Sequence, residues 1–169
     1  IYDGSWKGNY WGRDGAIALG KRLHNLSGWD GCALSAMSST YYSAASQASA
    51  RFRMASFFYK PFWAFRLAVC LMKALTYSEK LESMVGIGGM TANQLDVRAR
   101  ILFRCKNYNK AFEITNEALW LTPLAGDTKA LLLIGLAEIL DATNDGKSAR
   151  EQYEKARQMS DQLKPTTNV

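Results

Sequence analysis

Apolar positions return at helical intervals along the C-terminal half of this chain. Leu95, Ala99, Leu102 and Cys105 follow i, i+4, i+7, i+10 and mark one face of a helix. A next helix presents Ala111, Ile114, Ala118 and Leu121. Asp127 or Thr128 can cap a third, containing Leu131, Leu132, Leu133, Gly135, Leu136, Ile139 and Leu140. Asn144-Asp145-Gly146 reads as a turn, after which Ala149, Tyr153, Ala156 and Met159 mark a fourth helix. Lys164-Pro165 ends the patterned chain, and residues 164–169 form a tail.

Upstream the pattern is looser. Residues 33–90 form a helical region that opens on an alanine- and serine-rich stretch to about Phe58, where small side chains permit close helix approach. Pro61 suits the first turn of a new helix. That helix is expected to run to about Tyr77, with Trp63, Leu67, Cys70, Leu71 and Ala74 on one face. Gly86-Ile87-Gly88-Gly89 then marks a connection; it lacks the GxGxxG spacing and a preceding strand, so it is no dinucleotide fingerprint. Residues 1–32 differ from the rest. They hold Asp-Gly turn signals interleaved with Tyr2, Trp6, Tyr10, Trp11 and Trp29, and read as an irregular arm that docks through its aromatics.

The segment 91–163 carries a further signature. Asn107-Tyr108-Asn109-Lys110-Ala111 is followed by Ala118-Leu119 seven residues after Ala111, then by Pro123. Ala149, Tyr153 and Ala156 repeat the seven-residue interval. Alanines two turns apart lie on one face and leave a flat strip for a partner helix. In these residues the chain resembles the tetratricopeptide family, whose repeats of ~34 residues are two-helix units. Ala111 to Ala149 spans 38 residues, which implies a lengthened second connection. The resemblance implies an all-α fold of about six helices in antiparallel hairpins, with residues 33–90 holding a possible divergent repeat. It also implies a groove lined by the first helix of each pair. Asn93, Asp96, Arg100, Phe103 and Arg104 would face it, joined by Lys129, Leu132, Leu136, Ile139 and Leu140, with Trp6 and Trp11 of the arm as further partner-binding residues.

Charge refines the picture. The formal net charge is +6, and the excess sits in residues 33–90, which carry six basic and two acidic side chains. Such a bias suits acidic protein faces, nucleic acid or anionic headgroups. Arg98, Arg100, Arg104, Lys106 and Lys110, together with Arg51, Arg53 and Lys60 beside Phe52, Phe57 and Phe58, form the basis of an RNA alternative. Phe57 to Leu75 is interrupted by Lys60, Arg66 and Lys73, so it does not read as a membrane span; an interfacial helix stays open.

Chemistry is sparse. His24 is the only histidine, and Cys32, Cys70 and Cys105 are widely spaced with no CxxC pair. No GxSxG, HExxH or P-loop string occurs. Cys70 and Cys105 are expected to behave as small hydrophobes in a reducing intracellular compartment, with a mitochondrial setting favoured by the basic charge and by a start at Ile1 expected of a processed product. No cofactor, metal or enzymatic activity is expected. The expected function is a protein-interaction scaffold, a subunit of a larger complex; the alternatives are an RNA-associated helical-repeat protein and a peripheral membrane subunit.

Overall fold

The computed structural model describes residues 30–122 and 127–163. These form an all-α structure of six helices, without a strand among the described residues. They are α1 (Asp30–Met54), α2 (Lys60–Val85), α3 (Ala92–Arg104), α4 (Tyr108–Leu121), α5 (Asp127–Ala142) and α6 (Gly146–Leu163). Single 3-10 turns at Phe57–Tyr59 and Ile87–Gly89 join the early helices. The chain divides into two compact units between Gly88 and Gly89.

The first unit is a long hairpin of α1 and α2. Each helix is about 37–39 Å long at 1.5 Å per residue. Paired residues run in opposite directions: Gly31 faces Met84, Tyr41 lies beneath Lys73, and Arg51 lies over Trp63, so the helices are antiparallel. Small residues form much of the contact, and Leu34, Met37, Tyr41 and Leu81 are the larger buried side chains of the hairpin. Ala33, Ser38, Ala44, Ala45, Ala48 and Ser49 are buried on α1, and Cys70, Ala74 and Ser78 on α2. The Ser38 hydroxyl donates to the Ala74 carbonyl at 3.2 Å, so even the polar part of the seam is satisfied. Beside it Tyr41 stacks on Tyr77 with centroids 5.7 Å apart. Ala74→Leu is expected to force the backbones apart and cost about 1–3 kcal/mol. The exposed Ala68→Leu should stay within about 0.5 kcal/mol of the parent in the same urea titration.

Two boundaries differ from those expected of the sequence. α1 begins at Asp30, so Gly31 and Cys32 belong to a helix and not to the arm. A Cβ at Gly31 would stand 3.0 Å from the Met84 methyl, the end of a flexible and exposed side chain. α2 continues past Tyr77 to Val85, since Ser78 and Leu81 extend its buried face. It stops at Gly86, whose φ of 70° only glycine adopts freely. The arm up to residue 29, with Trp6, Trp11 and His24, lies outside the described residues, as do Pro123 and the tail.

The second unit packs α3 on α4, α4 on α5 and α5 on α6, and α3 also touches α5. A capping box starts α3: Gln94 N–H donates to Thr91 Oγ1, and Thr91 N–H donates to Gln94 Oε1 at 2.8 Å. The two hairpins turn by the same device. Lys106 and Asn144 adopt the left-handed conformation, with φ of 61° and 64°. Asn107 N–H then closes on Leu102 O, and Asp145 N–H on Leu140 O, each at 2.9 Å. Asn107 and Asp145 next cap the following helices, accepting from the backbone N–H of Lys110 and Ser148. Every member of this series lies 38 residues from its counterpart. The buried pairs Leu95 and Leu133, Ala99 and Ala137, Ile101 and Ile139, Ala111 and Ala149, and Ala118 and Ala156 keep the same offset. One equivalent slot holds Arg98, only 1% exposed, where the second hairpin has the buried Leu136. Cys105, expected on an apolar face, is exposed instead, because α3 ends there.

The Ser148 side-chain and backbone hydrogen bonds hold the Asp145 carboxyl below its ordinary range. The ionised cap therefore stabilises the fold fully above the unfolded pKa and is lost as pH falls through the lower folded value. Asp145→Asn, an equally good cap, should leave the neutral-pH melting temperature nearly unchanged and flatten its fall below about pH 4.

Candidate functional site

The first helix of each repeated hairpin leaves one stripe accessible. On α3 it is Asn93, Asp96, Arg100 and Phe103, with Arg104 beside them; on α5 it is Leu131, Ile134, Glu138 and Asp141. Both follow i, i+3, i+7, i+10, and each α5 position lies 38 residues beyond its α3 equivalent. Burial of Leu95 and Ala99 turns the α3 stripe outward, and burial of Leu133 and Ala137 does the same for α5.

The residues read from α3 therefore lie on accessible surface. Asn93 and Arg104 are exposed, while Arg100 and Phe103 are half-buried. The Arg100 Nε donates to both Asp96 oxygens at 2.9 Å, which holds the two side chains in place. Phe103 leans on Tyr108 of α4, centroids 5.6 Å apart. The stripe thus opens polar and basic on α3, and becomes apolar and then acidic on α5. The same two α5 carboxylates push up the Tyr153 hydroxyl pKa, after the larger effect of its partial burial.

The expected leucine surface of α5 needs correction. Leu132, Leu136 and Ile139 are core side chains, Leu132 only 1% exposed, and Lys129 and Leu140 are half-buried. The accessible register lies one residue away, where Leu131 is 52% exposed. Every position from Leu131 to Leu133 is leucine, so hydropathy alone does not choose among them. A usable signal existed in the chain: adding the 38-residue offset to Asn93 and Arg100 leads to Leu131 and Glu138.

A second surface lies at the turn of the first unit, within the aromatic and basic segment that the sequence offered for RNA or for an interfacial helix. Phe57 and Phe58 are 82% and 89% exposed, with Met54, Tyr59, Phe62 and Phe65 exposed around them. The basic side chains here line up over rings: Arg51 and Arg66 over Trp63 at 5.0 and 5.6 Å, and Lys60 over Phe52 at 6.0 Å.

Of the basic side chains that suggested RNA, those of the second unit differ in exposure, with Arg104 and Lys106 exposed. Arg98 is buried, Arg100 is tied to Asp96, and Lys106 serves a helix end. Among the described residues no group of three or more His, Cys, Asp or Glu side chains is placed to hold a metal ion.

No known family, curated protein or solved structure matches this chain. The chain's own repeat and surfaces must carry the functional reading.

The register has a direct test. Leu132→Ala should destabilise by about 2–5 kcal/mol in chemical denaturation. Leu131→Ser, one residue away, should cost no more than about 0.5 kcal/mol. Equal losses at the two sites would place both in the core.

Proposed function

We propose that this chain is a non-enzymatic interaction protein of tetratricopeptide-like build, a structural or assembly subunit that holds a segment of another protein across the α3 and α5 stripes. One observation carries the reading: neighbouring helices one repeat apart present the same outward positions, including two accessible apolar side chains, Leu131 at 52% and Ile134 at 36% exposure. A repeat that serves only the core has no need of apolar residues at its solvent register.

The chemistry of the stripe describes the partner. Arg104 supplies a cation at the α3 end and Glu138 and Asp141 supply anions at the α5 end, with apolar side chains between. A helix or extended segment with apolar anchors flanked by charges of both signs fits such a surface. The repeat count agrees, since a two-hairpin array is short of the ~3 repeats that usually make an independent solenoid. Association with further protein supplies the missing neighbour. RNA is the weaker reading for this unit, because the α5 stripe is acidic and Arg98 is withdrawn into the core.

The test begins with isolation of the native protein under mild conditions, with and without nuclease and at raised salt. A stoichiometric partner is expected to survive both treatments. The double variant Arg104→Glu, Leu131→Asp should keep the helical signal and lose that partner by tenfold or more, on the order of 1.4 kcal/mol or greater. Release by nuclease, or full retention by the double variant, would refute the proposal.

A further inference from the structure

We propose that the turn of the α1–α2 hairpin docks on an anionic lipid bilayer, inserting Phe57, Phe58 and Phe65 while the flanking basic side chains meet the headgroups. The inference concerns the first unit alone and does not depend on the repeat reading.

Two independent features meet at this end of the hairpin. Met54, Phe57, Phe58, Tyr59, Phe62 and Phe65 are all exposed within a short span, far more apolar surface than a single exposed side chain would represent. The charge around them has one sign. No carboxylate occurs between Asp30 and Glu79, whereas Arg51, Arg53, Lys60, Arg66 and Lys73 all fall in that interval. Aromatic side chains ringed by lysine and arginine match the bilayer interface, where apolar rings bury among acyl chains and long cations reach back to phosphates. Among the described residues no helix is long and apolar enough to cross a membrane, so the geometry is that of a surface anchor.

The rings are poorly arranged for the competing occupant, a single-stranded nucleic acid. Base stacking needs open, roughly parallel aromatic faces. Phe57 meets Phe58 edge-on at 79°, and Phe62 meets Trp63 at 78°. Trp63, the broadest ring present, is already engaged by two guanidinium groups.

The experiment is flotation of the full chain with phosphatidylcholine vesicles, with and without phosphatidylserine, alongside gel-shift titration with oligo(U). Binding is expected only to the anionic vesicles. Phe57→Ser with Phe58→Ser should weaken it on the order of a hundredfold. Arg53→Gln and Lys60→Gln should each weaken it about fivefold, less at high salt. All these side chains are exposed, so circular dichroism should remain unchanged, and Trp120→Ser, an exposed site in the other unit, should bind like the parent. No flotation with anionic vesicles, flotation indifferent to the phenylalanine pair, or oligo(U) binding lost with that pair in place of lipid binding would each overturn the proposal.

Discussion

Close approach of helix backbones over small side chains is what both units rely on. In the first, alanine and serine on α1 meet Cys70, Ala74 and Ser78 on α2, with Leu34, Met37, Tyr41 and Leu81 as the larger side chains buried in the hairpin. In the second, the buried Ala99, Ala111 and Ala118 recur as Ala137, Ala149 and Ala156 one repeat later. Such faces bury little apolar area per residue, so stability must come from length and from good packing. In the second unit Leu95, Ile101, Leu132, Leu133 and Ile139 supply the larger buried side chains beside the alanines.

The constraint also sorts the surface. A helix whose small face is committed to a neighbour must present its opposite face outward, and the outward residues of α3 and α5 follow from that commitment. At the end of the first hairpin the same logic runs out. Beyond Ser49 no α1 residue is buried, and none on α2 is before Cys70, so the aromatic side chains there have no partner helix to cover them. Cation–aromatic contacts bridge the two helices in place of a packed core. The two surfaces therefore arise differently: one is the outer face of a repeat, the other an end where packing stops.

The helical fold class was legible in the sequence, because spacings such as Leu95, Ala99 and Leu102 reflect local backbone geometry and need no long-range information. The buried alanines seven apart were legible for the same reason, as was the break before Pro61. The accessible α3 residues came from the family resemblance and the register of that helix. The α5 surface was misplaced by one residue, since three consecutive leucines satisfy several registers equally. Arg98 was read as surface, because charge ordinarily predicts exposure, yet it is buried.

By itself, then, the sequence determined which segments become helices, where small faces lie and where positive charge gathers, all properties of residues near one another in the chain. Only the tertiary structure decided which leucine of α5 meets solvent, that Arg98 fills the buried position that Leu136 fills one repeat later, and that Phe57 and Phe58 stand uncovered. Those outcomes depend on which helix packs against which, and exposure is a property of the packed neighbours and not of the residue.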